Sequence, residues 1–134
     1  MAKGYDTNQE RLQALSLLGK DLARRAKSKC ELSGESGVSL KTYEIEPVPK
    51  EPDFEKCLLV SENVLEQLLR PKSLKSDQWR NLGELIWSEL PAQQMMAHRI
   101  LTHIAKTKPW AQNILDEAYL DDELVEWSES SPLS

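Results

Sequence analysis

"CELSGESG" at residues 30–37 and "CLLVSENVLEQL" at residues 57–68 decide how this 134-residue chain is read. Each carries one cysteine beside turn or helix-start residues, where a metal-binding knuckle would carry a pair. Ser33, Gly34, Ser36 and Gly37 give the first stretch its turn chemistry. In the second, Ser61 can cap a helix bearing Val64, Leu65, Leu68 and Leu69, which Pro71 stops. Between the two, "VSLKTYEIEPV" alternates with β-branched and aromatic residues and reads as a short strand or hairpin, and "KCLLV" as a second brief strand. Pro47, Pro49 and Pro52 keep "EPVPKEPDFEK" a semi-extended surface loop.

Outward from this centre the chain is helical. The spacing of Leu12, Leu15, Leu18, Leu22 and Ala26 predicts an amphipathic helix over about 8–27, with Thr7 or Asn8 as its cap. On the C-terminal side, Ser76 or Asp77 is expected to cap a helix with Trp79, Leu82, Ile86 and Leu90 on its buried face. Pro91 suits the first turn of a helix carrying Ala92, Met95, Met96, Ile100, Leu101 and Ile104, and Pro109 that of another with Trp110, Ile114 and Leu115. "YLDDELVEW" makes a last helix, and "SESSPLS" reads as a frayed tail. The expected fold class is mainly α with a small β hairpin. The segments are an N-terminal helix (1–29), a hairpin module (30–70), a helical part (71–128) and a flexible tail (129–134), together one compact unit.

Bulk properties narrow the function classes. Hydrophobic content of 40% and charge of 29% are ordinary for a soluble domain. No apolar run approaches the roughly 20 residues of a spanning helix, and "MAKGYDTNQE" lacks a secretory stretch, so the expectation is a cytoplasmic protein with no membrane partner. Two cysteines are too few for a disulfide framework. The net charge of −5 is unevenly placed: Lys20, Arg24, Arg25, Lys27 and Lys29 cluster near the end of the first helix, and seven carboxylates follow from Asp116 with no base among them. Such polarity suits an oriented partner or a second copy of the chain.

Several stretches, "KDLARRAKSKCEL", "YEIEPVP", "KCLLVSENVLEQL", "DQWRNLGELIWSELPAQQMMAHRIL" and "ILDEAYLDDELVEW", together resemble the PhnA-like family of alkylphosphonate-operon proteins, in order and over nearly the whole chain. The resemblance implies a treble-clef module in which two Cys-x-x-Cys pairs hold one zinc. It places the four ligand positions at Cys30, Ser33, Ser61 and Val64, of which only Cys30 is a ligand type; Asn81 stands where relatives commonly carry a cysteine. The expected module is therefore a degenerate zinc finger packed on a helical bundle, with zinc in relatives and no cofactor here. Structural zinc needs four thiolate or imidazole donors. A serine hydroxyl is protonated near neutrality and valine has no lone pair, so apolar packing, Val64 included, is expected to take over from the metal. A rearranged site of Cys30, Cys57, His98 and His103 is disfavoured, because the two histidines point about 140° apart on a helix.

Catalytic readings find little footing. An HNH-type nuclease needs a histidine base on the hairpin, yet the hairpin holds Tyr43 and Glu44, and the carboxylates Glu44, Glu46 and Asp53 read as loop solvation. Phosphonate hydrolysis on two metal ions needs more histidines than two, and the five glycines form no phosphate loop. Trp79, Trp87, Trp110 and Trp127, with Met95 and Met96, read as core before ligand pocket. The expected function is a non-catalytic interaction module that contacts a protein partner or itself. The alternative is nucleic-acid binding through Lys20, Arg24 and Lys27 on one helical face, with Arg24 or Arg25 otherwise pairing internally. A phosphonate-metabolism enzyme is the weakest reading.

Overall fold

The computed structural model describes residues 2–133, with side chains described from residue 9 onward. The chain divides into two compact units, residues 1–61 and 62–134, a boundary inside the segment 30–70. The first is built on one long helix and a two-stranded sheet, and the second on helices.

In the first unit α1 runs Ala2–Ala26, so Thr7 and Asn8 lie inside the helix rather than at its start. Its buried stripe begins one turn later than the leucine spacing predicts. Leu12 is 52% exposed, whereas Leu15, Leu18, Leu22, Ala23 and Ala26 pack with Cys57, Leu59, Leu40 and Phe54. The helix ends in a Schellman turn: Ser28 N–H donates to the Ala23 carbonyl at 3.1 Å and Lys27 N–H to that of Arg24 at 3.3 Å. That turn wants glycine, yet Lys27 and Ser28 occupy it with φ of 56° and 59°. A non-glycine residue there costs on the order of 1 kcal/mol or more.

Strands β1 (Leu40–Glu44) and β2 (Cys57–Ser61) pair antiparallel, with Leu40 opposite Ser61 and Glu44 opposite Cys57. Every residue of β2 is buried, which explains its unbroken "CLLVS" run, while β1 alternates around buried Tyr43. The proline-rich connection between them ends in a 3-10 turn, Phe54–Lys56, capped by the Asp53 carboxylate on Glu55 N–H at 2.9 Å.

In the second unit α2 (Glu62–Leu69) buries Val64, Gln67 and Leu68. Residues 76–90, expected as one helix, form instead a 3-10 turn (Ser76–Trp79) and a single helical turn, α3 (Leu82–Leu85). Gly83 lies within that helical turn, and a Cβ there would make an ordinary contact, 3.5 Å from the Ile114 side chain. Then follow α4 (Pro91–Ile104), α5 (Pro109–Glu117) and α6 (Asp122–Ser130), with both prolines in the first turns of α4 and α5 as their fixed φ favours. Ala92, Met95, Met96, Ala97, Ile100, Leu101 and Ile104 make α4 the buried spine of this unit, with α3, α5 and α6 against it. Helix α6 extends into the segment expected as tail, and Leu133 beyond it is buried. No helix among the described residues is long and apolar enough to cross a membrane.

Candidate functional site

The turn after α1 brings three of the four sequence-marked positions together. Cys30 N–H donates to the Glu35 carbonyl at 2.9 Å, and Gly34 N–H returns to the Cys30 carbonyl at 2.8 Å. Gly34 has φ of 81°, which its missing Cβ permits. Ser33 N–H points at the Cys30 sulfur at 3.3 Å, as an amide does when it supports a metal-bound thiolate. The backbone thus forms a knuckle around Cys30, whose thiol is buried and free.

What fills that knuckle is a carboxylate. The Ser33 hydroxyl donates to Glu35 Oε1 at 3.0 Å, and the Ser61 hydroxyl, from the end of β2, reaches the same oxygen at 3.4 Å. The two serines that stand at ligand positions therefore meet, but on an anion rather than a cation. Val64, the fourth position, is 2% exposed in α2 and offers no donor. Cys57 does not supply the missing thiolate. Burial, with the nearby charges of Glu44 and Asp53, pushes its thiol up to about 11, so the proton stays on sulfur near neutrality. Among the described residues no three His, Cys, Asp or Glu side chains are grouped to hold a metal. One thiol, two hydroxyls engaged by Glu35 and a valine do not fit zinc.

Two arginines of α1 tie this region together. Arg25 grips Glu31 through two bonds of 2.9 Å, and its guanidinium also donates to the carbonyls of Cys57 (2.8 Å) and Phe54 (3.4 Å) while stacking 4.5 Å from the Phe54 ring. The Glu31 side chain is 3% exposed, and its Oε1 also accepts Leu59 N–H at 2.8 Å, while Glu31 N–H donates to the Leu59 carbonyl at 2.7 Å. Every charge in this cluster is matched. Arg11, fourteen residues earlier and thus close to four turns away on the same face, makes a bidentate pair with Glu44 and donates to the carbonyls of Pro49 and Lys50. Apolar packing alone was expected to hold this region; the Arg25–Glu31 and Arg11–Glu44 pairs hold it as well.

The same contacts dispose of other candidates. Tyr43 is buried and Glu44 is held by Arg11, so the hairpin presents no general base. Asp53 is occupied as a cap, and Glu46 is exposed. His98 Nδ1 lies 2.7 Å from the Ser128 hydroxyl, and burial lowers its pKa against an opposing pull from Glu129. His103 Nε2 donates to the Pro71 carbonyl at 3.2 Å, leaving a buried Nδ1 without a partner among the described residues. Trp79 is structural: its indole N–H donates to Gln67 Oε1 at 2.9 Å. Gln67 also accepts Lys75 N–H and donates to Gln78. Asn81 is half-buried after the Ser76–Trp79 turn. A cleft beside α4 and α6, lined by Arg99, His103, Lys106, Glu129 and Leu133 among others, holds only about 100 Å³. That is small beside the several hundred Å³ of ordinary ligand pockets.

Of the basic residues, Arg25 points inward, and Lys20, Arg24 and Lys27 are exposed. Lys27 leaves the helical face expected for it, because it occupies the left-handed turn beyond α1. Among the described residues Arg24 pairs only with Asp21, at 3.8 Å on a largely exposed surface.

Comparison with protein families, with curated proteins and with solved structures found no match for this chain.

Proposed function

We propose that this chain is a PhnA-like protein whose treble-clef module no longer holds zinc and that acts, without catalysis, by contacting another protein or itself. The observation that carries this reading is the knuckle around Cys30, in which Ser33 and Ser61 share the Glu35 carboxylate. A metal-binding backbone is kept, and its ligand shell is replaced by side chains that close on one another. In this reading, what the module offers a cell is surface.

The test joins two measurements on protein purified without added metal. Elemental analysis is expected to find well under one zinc per chain, and affinity capture a protein partner in stoichiometric amount, the chain itself included. Near-stoichiometric zinc would overturn the first half. Release of phosphate from alkylphosphonates would overturn the second.

A second reading rests on a separate observation, the exposure of Lys20, Arg24 and Lys27. In it these cations track phosphates, and retention on DNA or RNA falls steeply with salt. The absence of an aromatic platform among them and the chain's net charge of −5 place it second.

A further inference from the structure

We infer that the exposed basic row of α1 docks on the acidic row of α6 in a second copy of this chain. The inference rests on the interaction-module reading above and names its partner.

Both rows are exposed and unneutralised. On α1, Lys20 and Arg24 are one turn apart and exposed, and among the described residues the only ion pair of either is the weak Asp21 contact. On α6, Asp122 and Glu126 have the same spacing, are exposed, and have no ion pair among the described residues. Like charges at this spacing repel within each helix. No base lies between Trp110 and the end of the described chain to relieve the acidic row.

An exposed hydrophobe precedes each row by the same interval. Leu17, 70% exposed, stands three residues before Lys20, and Tyr119, 85% exposed, three before Asp122. Tyr119 lies in the connection ahead of α6 and Leu17 within α1, so the two patches share a sequence interval rather than a backbone shape. With a rise of about 1.5 Å per residue, the charges in each row sit about 6 Å apart along the helix axis, so parallel helices would bring unlike charges into register.

Net charge selects the partner. Residues 1–61 contain ten bases and ten acids, whereas residues 62–134 contain seven and twelve. The whole net charge therefore lies in the second unit. A second copy carries on its α6 an anionic surface complementary to the basic row. The contact joins unlike patches, so it forms a closed dimer where two copies exchange it reciprocally and a longer assembly where they do not.

Sedimentation equilibrium on the intact chain tests this. At low ionic strength, where exposed charges act over about 20–30 Å, the wild type is expected to exceed monomer mass, and to return to it at about 0.5 M salt. Lys20→Glu/Arg24→Glu and Asp122→Asn/Glu126→Lys should each weaken association by about tenfold or more, with unchanged circular dichroism. An equimolar mixture of the two variants should recover it, since one swapped and one native contact are then available. A wild type that stays monomeric at low salt overturns the inference, as do variants that keep the wild-type mass. A monomer that binds nucleic acid through Lys20 and Arg24 would transfer the surface to the second reading. A stoichiometric protein partner captured by a monomeric chain would leave the interaction reading standing and remove only the self-association.

Discussion

The two units solve the same problem by different means. The second surrounds one largely buried helix, α4, with other helices, and its polar links include Gln67 to Trp79 and the buried Arg99, which donates to the carbonyls of Trp127 and Ser128. The first has one long helix and two five-residue strands, and its continuous apolar cluster centres on Leu22, Cys57 and Leu59. There the chain adds two arginine–carboxylate clamps and a carboxylate that closes the knuckle. A small module that cannot bury enough apolar surface needs cross-links, and charged side chains can serve where a metal does not.

The largest test of this contrast is Arg25→Met. It removes the guanidinium that grips the buried Glu31 carboxylate, and urea unfolding should show a loss of about 3–5 kcal/mol. In the second unit Ile100→Ala, which creates a cavity in a fully buried site, should cost about 2–5 kcal/mol with no dependence on salt. If Arg25→Met cost under about 1 kcal/mol, as exposed pairs do, the clamp would be ornament and the two units would be alike in kind.

Smaller effects sharpen the picture. Lys27→Gly relieves a left-handed residue in the Schellman turn and should stabilise by about 1 kcal/mol in the same assay. Gly19→Ala should stabilise by a similar amount, about 0.5–1 kcal/mol, because no atom lies within 4 Å of the added methyl. The smallest is the pH response of His98. Its pKa is lowered in the folded chain by burial, so the unfolded chain binds the proton more readily. That contribution is intact above the unfolded value of about 6.5 and is lost as pH falls through it. His98→Asn should flatten the stability profile in that window, and an unchanged slope would show that Ser128 fixes no particular protonation state.

Elements with local signals were legible in the sequence. Prolines 91 and 109 marked the starts of α4 and α5, and the unbroken apolar run of β2 matched its burial on both faces. Residues 76–90 misled because four apolar residues at helical spacing do not reveal the turns at residues 80–81 and 86–87, which split the segment around α3. Leu12 misled in the same way: periodicity gives a helix its face, but not how far along that face its partners reach. At the turn around Cys30, the sequence marked Ser33 and Ser61 but not the carboxylate on which they meet. Arg11 and Glu44 lie thirty-three residues apart, and no spacing rule joins them. Glu35 looked like one more turn residue until the fold brought Ser61 to it.

Equilibrium unfolding of the purified chain, monitored with and without a strong zinc chelator, bears most directly on the claim that ion pairs and apolar contacts hold the first unit. Coincident, cooperative curves are expected, with Arg25→Met displaced equally in both conditions. A chelator that lowers the unfolding midpoint would contradict the claim and point to Cys30 as a metal ligand.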